Sequence, residues 1–242
     1  EELVGRSVER LVPAAERLHH ARWRERYNGA PTRRRMGGHA LEVKAVRRDG
    51  TEVPVEITLA QVRLGDTCLT IAVLRDLSDR RKLEEHLLFL STHDTLTGLA
   101  NRSAFDEALT RLDERGPHPI AVVMVDLDGL KRVNDECGHA AGDALLRRVA
   151  TVLKSTFRST DLVARIGGDE FAVLAPGRDA SASQLLGARV QKAVDAHNAG
   201  YAGEPLSISV GIAVANTGVP VSNALQDADA RMYAMKRAHY DR

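Results

Sequence analysis

Two apolar runs of strand length flank the segment Gly167-Gly168-Asp169-Glu170, and this arrangement constrains the fold more than any other feature of the sequence. Residues 162–166 and 171–175 have the length and composition of buried strands. The segment between them is short enough to be the turn of a hairpin. We therefore predict an antiparallel hairpin with two carboxylates at its tip.

A second acidic segment follows another buried strand. Residues 120–125 form a continuous apolar run, which indicates a strand buried on both faces, and Asp126-Leu127-Asp128 comes directly after it. Carboxylates two residues apart lie on one side of a strand, where their charge could hold a divalent cation. The surrounding pattern predicts a β-α-β-β-α-β order with extra helices: a helix through residue 112 capped by Ser103 and Asp106, helices near 145–153, 181–197 and 222–236, and a strand at 206–214.

The first 76 residues have a different pattern, in which helices precede antiparallel strands. A strand at 41–47, the turn Asp49-Gly50, alternating apolar residues at 53–59, a turn at Gly65-Asp66 and a strand at 69–74 predict a three-stranded meander. No nucleophile cluster, metal-ligand set or phosphate-binding loop occurs in this stretch, so its pattern predicts no chemistry of its own.

Between the two patterns, residues 77–91 alternate charged residues with Leu83, Leu87 and Leu90 at spacings of four and three. This stripe predicts a helix that pairs with its copy as a short parallel coiled coil. The alternative is an ordinary amphipathic linker. We therefore divide the chain into residues 1–76, the linker helix 77–91 and an α/β domain at 92–242.

The composition restricts the partners. Lys plus Arg (34) nearly balances Asp plus Glu (33), so a net charge of +1 gives no reason to expect nucleic acid or a membrane surface as a ligand. No apolar run approaches the roughly 18 residues of a membrane span. Cys68 and Cys137 lack metal-ligand spacing, which is typical of a reducing compartment. We expect a cytoplasmic segment, with any membrane anchor lying upstream of it.

Four ordered motifs resemble those of the GGDEF family of diguanylate cyclases. They are the signature at Arg165–Phe171, the opening motif at His93–Arg102, the metal-strand motif at Asp126–Asp135 and the helix start at Gly138–Asp143. The resemblance implies a palm-like nucleotide-cyclase sandwich of the α/β (α+β) class, with an antiparallel central sheet. It also implies the condensation of two GTP molecules into cyclic di-GMP and two pyrophosphates.

The N-terminal segment is similar to the C-terminal part of a PAS domain. The similarity rests on Arg47–Glu56, which matches its hairpin, and on Arg75-Asp76-Leu77-Ser78, which matches its exit motif. We expect a partial PAS-like α+β sensory domain whose ligand the sequence does not identify. The linker helix would carry its signal to the cyclase domain.

The resemblance assigns roles to the acidic residues. Asp126, Asp169 and Glu170 would be catalytic: Asp126 and Glu170 would bind Mg²⁺ (or Mn²⁺) with the backbone carbonyl of Leu127. Asp169 would be a further metal ligand or would help to deprotonate the attacking hydroxyl. Gly167 and Gly168 would let the backbone turn tightly beside the phosphates. Cations are needed because attack of each 3′-hydroxyl on the other α-phosphate accumulates negative charge.

Guanine recognition is implied for Asn134 and Asp143, because a carboxylate accepts from guanine N1–H and the exocyclic amine, a donor pair that adenine lacks. Without the family frame, the same residues would be interpreted as a helix cap and a residue favoured by the helix dipole. Lys131 and Lys236 would neutralise the triphosphate.

The C-terminal end departs from the family pattern. Tyr240 stands where the usual Lys-x-x-Gly-Arg-Asn has its arginine, and Leu130 stands where phenylalanine is frequent. Either Arg237 or Arg242 substitutes for that arginine, or the affinity for triphosphate is reduced. The sequence leaves both possibilities open.

Product inhibition is implied by Arg158-Ser159-Thr160-Asp161, which matches the Arg-x-x-Asp inhibitory site of many GGDEF cyclases. Arg158 would grip a phosphate or the Hoogsteen edge of guanine, and Asp161 would accept from its N1–H and amine. Arg189 matches a position that in the family can come from a neighbouring domain. The alternative for Arg158 and Asp161 is a surface ion pair.

A half-site for one GTP implies a homodimer, because two protomers must face each other for the double attack. Two other functions remain open. The first is a catalytically weak GGDEF domain that acts as a receptor for GTP or cyclic di-GMP. The second is a class III adenylate or guanylate cyclase of related fold, although none of that class's own motifs occurs in the sequence.

Overall fold

The computed structural model describes residues 3–29, 34–36, 43–116 and 118–240, and the chain divides into two compact units, Glu1–Leu87 and Leu88–Arg242. The first unit begins with two 3₁₀ turns and continues with a helix and four strands. These are Val8–Leu11, Ala14–Glu16, α1 (Arg17–Gly29), β1 (Arg34–Met36), β2 (Lys44–Val46), β3 (Glu52–Leu64) and β4 (Thr67–Asp76). Helix α2 (Ser78–Thr92) follows, and the division at 87/88 falls inside it.

The sheet of the first unit is organised around β3, which pairs antiparallel with β1, β2 and β4. At the β2–β3 turn, the Arg47 amide donates to the Thr51 carbonyl at 2.8 Å, and Gly50 has a left-handed φ of +86°. Gly65, with a φ of +60°, turns β3 into β4. The predicted meander is confirmed as β2-β3-β4, whereas β1 was not predicted. Residues 41 and 42 of the first predicted strand lie outside the described residues.

The described core of this unit is small. Ala45, Val53 and Val55 are buried, with Val43 and Ile57 packed against them. Period-two burial along β3 agrees with the predicted alternation at its beginning. All ten residues of β4 are exposed.

The second unit has the predicted β-α-β-β-α-β order with extra helices. Its elements are α3 (Arg102–Arg115), β5 (Ile120–Leu127), α4 (Leu130–Cys137), α5 (His139–Thr156), β6 (Leu162–Arg165), β7 (Glu170–Pro176), α6 (Ala180–Ala199), β8 (Ile208–Ala215) and α7 (Val221–Tyr240). The sheet order is β6-β7-β5-β8, and every neighbouring pair is antiparallel. The predicted acidic-tipped hairpin is confirmed as β6-β7.

The central strand β5 is buried along its whole length because helices cover both faces of the sheet. Alternate residues such as Val123 and Val125 pack with residues of α5 and α6, including Leu153. The intervening residues, such as Val122, pack with Phe105 of α3 and with residues of α7. A continuous apolar sequence is the pattern that a strand covered on both faces requires.

The beginning of α3 corrects one prediction. The cap is Asn101, whose side-chain oxygen accepts from the Ala104 amide at 3.0 Å, and not the pair Ser103 and Asp106. Helical geometry already begins at Arg102, so Ser103 lies inside the first turn, and Asp106 pairs with Arg102 at 3.4 Å. The side-chain amide of Asn101 also donates to the Ser91 carbonyl at 2.9 Å, which ties α3 to the end of α2.

A membrane span is not found: in the described ranges, every helix is too short or too polar to cross a bilayer.

Candidate active site

The two predicted acidic segments lie side by side on the central sheet. Asp126, near the end of β5, is directly opposite Glu170, the first residue of β7. The Leu127 amide donates to the Asp169 carbonyl at 2.9 Å, so the hairpin tip is attached to the end of β5. The antiparallel pairing of β5 with β7 therefore brings Asp126 together with Asp169 and Glu170, which lie far from it in the sequence.

Asp126 is the buried carboxylate of the site, with 2% of its surface exposed. Its Oδ2 accepts from Lys236 Nζ at 2.7 Å, and its Oδ1 is buried without a hydrogen-bond partner among the described residues. Burial raises the pKa of Asp126, and the negative charges of Asp169 and Asp128 add to the rise, while the bond from Lys236 opposes it. The site thus holds an oxygen with an unused lone pair beside concentrated negative charge.

Of the two hairpin glycines, Gly167 has a steric role, whereas a Cβ on Gly168 would meet no atom within 4 Å. Neither Gly167 nor Gly168 has a positive φ. A Cβ on Gly167 would lie 2.6 Å from Glu170 Oε2, so glycine leaves the space that this carboxylate occupies. Asp169 is more exposed, at 40% of its side chain, and one of its oxygens lies 3.9 Å from Lys236 Nζ.

These residues fit a magnesium ion. Among the described residues, no three His, Cys, Asp or Glu side chains are gathered into a preformed cage. Mg²⁺ in nucleotide-binding sites is usually held by one or two carboxylates, with waters and substrate phosphates completing the shell. Asp126, with its unpartnered oxygen, and Glu170 opposite it have the donors for such a set, and the metal-binding roles predicted for Asp126, Leu127, Asp169 and Glu170 stay predictions.

Arg165 fastens the hairpin to the opening motif. Its guanidinium donates to the Gly168 carbonyl at 2.8 Å and to both carboxylate oxygens of Asp94 at 3.2 Å. Asp94 also accepts from the amide and the hydroxyl of Thr97. Although burial opposes ionisation of Asp94, these bonds and the charge of Arg165 lower its pKa. The motif matches gave no indication of this link.

The two residues predicted to bind guanine lie on consecutive helices, Asn134 on α4 and Asp143 on α5. Gly142, next to Asp143, packs so closely against Asn134 that any Cβ there would collide with its side-chain oxygen. Asn134 and Asp143 are both partly buried, and Lys131 on α4 is exposed. A cavity of about 190 Å³ on another face of this pair of helices, lined by residues including Val133 and Tyr201, contains none of the predicted site residues.

Asp128 is held by a polar cluster that the sequence did not reveal. It accepts from the hydroxyls of Ser207 and Ser209, each at 2.9 Å, and its Oδ2 lies 3.3 Å from His239 Nδ1. Ser207 directly precedes β8, Ser209 is the second residue of that strand, and His239 lies in the last turn of α7. The predicted side-by-side placement of two carboxylates is therefore present, but Asp128 is occupied by protein donors.

The predicted inhibitory residues meet near the beginning of β6, with an unpredicted partner. Asp161 is buried and accepts from Arg178 Nη2 at 2.7 Å and from the backbone amide of Arg158 at 3.0 Å. The Arg158 side chain is exposed. Arg189 donates to the Thr156 carbonyl, and its pKa is lowered by desolvation and then by the positive charges of Arg178 and Arg158. Four residues thus converge, but the ion pair is Arg178–Asp161.

The antiparallel sheet covered by helices and the acidic hairpin at its centre define a nucleotide-cyclase type of domain. Residues 91–242 match the family described as "Diguanylate cyclase, GGDEF domain", and the chain belongs to the GGDEF family. The predicted palm-like fold is thereby confirmed. The PAS-like assignment of residues 1–76 stays a prediction, as do the domain boundaries.

Individual relatives agree with this assignment. The probable diguanylate cyclase DgcE of Escherichia coli K12 is 35% identical over 191 residues, which are 76% of this chain and 17% of that protein. The cyclic di-GMP phosphodiesterase PdeB of Shewanella oneidensis is 35% identical over 175 residues, 69% of this chain and 20% of that protein. The chain therefore spans only about a fifth of the length of these curated relatives.

A solved structure with the same fold is the coiled coil and GGDEF domain of DgcB from Caulobacter crescentus in complex with cyclic di-GMP. It has a TM-score of 0.56 at 30% identity and covers 66% of this chain and 90% of that one.

Proposed function

We propose that the C-terminal unit condenses two GTP molecules into cyclic di-GMP with release of two pyrophosphates. The observation that carries the proposal is the pairing of Asp126 with Glu170 across β5 and β7, with Lys236 Nζ 2.7 Å from Asp126. Two acidic residues and one lysine at the edge of a nucleotide-cyclase fold are the groups that phosphoryl transfer needs.

Each group has a role in the proposed reaction. Mg²⁺ bound at Asp126 and Glu170 would supply the positive charge that the α-phosphate needs as the 3′-hydroxyl attacks. Lys236, already between Asp126 and Asp169, would neutralise the triphosphate. Asp169, which is more exposed than Asp126, would accept the proton of the hydroxyl or add a metal bond. Lys131 is a second candidate for the triphosphate.

The C-terminal unit of each protomer would hold one GTP, so the proposal includes a homodimer whose two half-sites face each other. The exposed leucines Leu83, Leu87 and Leu90 of α2 support pairing of the linker helices. A signal from the PAS-like segment, whose ligand is unknown, would act through the geometry of this pair. The exposed, unpaired Cys68 and Cys137 support a cytoplasmic location.

Guanine selection is proposed for Asn134 and Asp143. Asp143→Ala should reduce the use of GTP about tenfold or more and leave the low use of ATP unchanged, because the buried donors of guanine lose their acceptor. The ratio of GTP to ATP turnover measures this effect. An unchanged ratio in the folded variant would mean that guanine is recognised elsewhere.

Product inhibition is proposed at Arg158, Asp161 and Arg189. The convergence of these residues supports a site for a guanine base and a phosphate. Binding there would stabilise a conformation in which the catalytic halves are apart. Arg158→Ala should keep the initial rate but continue past the product concentration at which the parent enzyme stops.

The deciding experiment is incubation of the purified chain with GTP and Mg²⁺, with the products identified by mass. We expect cyclic di-GMP and pyrophosphate in a ratio of one to two. A receptor without turnover is the second candidate, favoured by the similarity to PdeB, which is named for phosphodiesterase activity. Binding of GTP or cyclic di-GMP with no product formed would support that candidate instead.

A further inference from the structure

The last two turns of α7 carry two side chains that reach the carboxyl end of β5. Lys236 Nζ lies 2.7 Å from Asp126 Oδ2. One turn later, His239 Nδ1 lies 3.3 Å from Asp128 Oδ2 and 3.4 Å from Ser209 Oγ. Because a carboxylate only accepts, Nδ1 must carry the proton and donate to Asp128.

Asp128 is a fixed anchor for this contact. Its oxygens also accept from Ser207 and Ser209, and its own amide donates to the Ser207 carbonyl at 3.0 Å. His239 stands where the family pattern has glycine, so the contact is a feature of this chain. A helix end frays unless its last turn is held by side-chain contacts.

We propose that His239 is a positioning residue: by donating to Asp128 it holds the last turn of α7 so that Lys236 faces the triphosphate. The inference rests on the proposed cyclase activity and on the role proposed for Lys236. A lysine that neutralises the triphosphate acts on bound GTP and on the transition state alike. Its misplacement therefore raises KM and leaves kcat largely unchanged.

Asparagine and glutamine provide a matched pair for the test. The amide nitrogen of Asn is separated from Cα by the same number of bonds as Nδ1, whereas that of Gln corresponds to Nε2. We expect His239→Ala to raise the KM for GTP about five- to tenfold. His239→Asn should restore most of the parent KM, and His239→Gln should not.

The outcomes separate this inference from the proposed function. An unchanged KM in His239→Ala, or equal rescue by Asn and Gln, would overturn the positioning role while leaving the cyclase intact. A parent chain that forms no cyclic di-GMP would count against the proposed activity itself. A fall in kcat alone would also contradict the inference, because it would indicate a catalytic and not a binding effect.

An independent observation concerns Asp161. Its side chain is 1% exposed and is paired with Arg178, itself 7% exposed, at 2.7 Å. Arg178 Nε is buried and has no partner among the described residues, so the guanidinium is held mainly by this carboxylate. Arg178 and the Arg158 amide both donate to Oδ2 of Asp161. A guanine that donated from N1–H and from its amine to the two carboxylate oxygens would therefore have to take the place of Arg178 at Oδ2.

We infer that Arg178 competes with the product for Asp161 and so sets the concentration at which inhibition begins. This inference rests on the proposed inhibitory site. Titration of the chain with cyclic di-GMP in a calorimeter tests it. Arg178→Met, which keeps the length of the side chain but not its donors, should bind the product about tenfold more tightly, and Arg158→Ala should bind it more weakly.

The two variants test different claims, Arg178→Met the competition and Arg158→Ala the inhibitory site. If Arg158→Ala binds more weakly but Arg178→Met does not bind more tightly, the competition is wrong and the inhibitory site stands. If Arg158→Ala binds as the parent does, the inhibitory site itself is wrong. Should Arg178→Met fail to fold, Arg178→Lys keeps a charge with a poorer fit, and tighter binding than the parent is expected; unchanged binding would overturn the competition.

Discussion

The two units of the chain differ most in what their central strands bury. In the C-terminal unit, all eight residues of β5 are buried. In the N-terminal unit, the core cluster described consists of Ala45, Val53 and Val55, Leu77 is also buried, and β4 is exposed throughout. A deep core can hold a group as costly to bury as the carboxylate of Asp126, and a shallow core cannot. The reaction is therefore expected in the C-terminal unit, and changes of conformation are expected in the N-terminal unit.

The ion pairs show the same contrast. Arg47–Asp76, in the first unit, joins side chains that are 50% and 43% exposed, and pairs of this kind contribute little to stability. In the second unit, the pairs Arg165–Asp94 and Arg178–Asp161 are largely buried, so the loss of one partner leaves a charge without compensation. Removal of one partner of an ion pair should therefore destabilise the second unit more than the first.

The largest difference is expected for catalysis. Asp126→Ala and Glu170→Ala should each reduce the rate of cyclic di-GMP formation about 100-fold or more, because each removes charge that is needed in the transition state. Asp49→Ala, at the tip of the N-terminal hairpin, is the matched control and should keep a rate close to that of the parent. Initial rates at saturating GTP and Mg²⁺ measure all three. Wild-type turnover by either active-site variant would remove its residue from the essential set.

The next difference concerns stability. Leu153→Ala, at a side chain that is fully buried, should lower the free energy of unfolding of the second unit by about 2–5 kcal/mol. Leu69→Ala, at a side chain that is 46% exposed, should change the stability of the first unit by no more than about 0.5 kcal/mol. Urea unfolding followed for the full chain measures both. A large loss in Leu69→Ala would mean that β4 is covered in solution.

The fold of the second unit was largely predictable because its signals are local and repeated. A continuous apolar run, an acidic-tipped hairpin and ordered motifs indicated the strand order and the residues that the structure now brings together. The cap of α3 was predicted wrongly because several polar residues precede the helix, and only the backbone geometry at Asn101 distinguishes the true cap.

Other features were not accessible from sequence because they join distant residues. Arg178 pairs with Asp161 across 17 positions, Arg165 with Asp94 across 71, and His239 meets Asp128 across 111. Single charged residues on exposed loops and helices are common, and no spacing identifies such pairs. The substitution at Tyr240 remains unexplained, and Arg242, which could replace the usual arginine, lies outside the described residues.

Substitutions in the linker helix α2 test whether pairing of this helix in a dimer affects the activity of the chain. Leu87 is 55% exposed and lies in the predicted seam, whereas Glu85 lies on the opposite side of the same helix. Leu87→Lys should lower the activity per chain several-fold at low protein concentration and make it depend more steeply on concentration, because like charges then face each other in the pair. Glu85→Lys should do neither. A dilution series of both variants measures the effect, and equal behaviour would leave α2 as a passive tether.

The smallest effect is expected for the stability of Asp126→Asn. This substitution should raise stability, whereas loss of the Asp126 carboxylate lowers activity. Burial raises the pKa of Asp126, so the folded state holds this proton more tightly than the unfolded state. Below the ordinary Asp pKa of about 3.9, the residue is protonated in both states and carries no penalty. As the pH rises through the raised pKa, the folded state must ionise a buried group, and stability is lost. Asp126→Asn never ionises and leaves Lys236 close to Asp169.

With divalent cations removed by a chelator, Asp126→Asn should therefore be more stable than the parent at neutral pH, and the difference should fall towards zero as the pH is lowered to about 4. Added Mg²⁺ should stabilise the parent and not the variant, because only the parent binds it at this position. Thermal unfolding at several pH values, with and without Mg²⁺, measures both effects. A variant less stable than the parent at neutral pH would mean that the bond from Lys236 outweighs burial, and Asp126 would then serve the fold as well as the reaction.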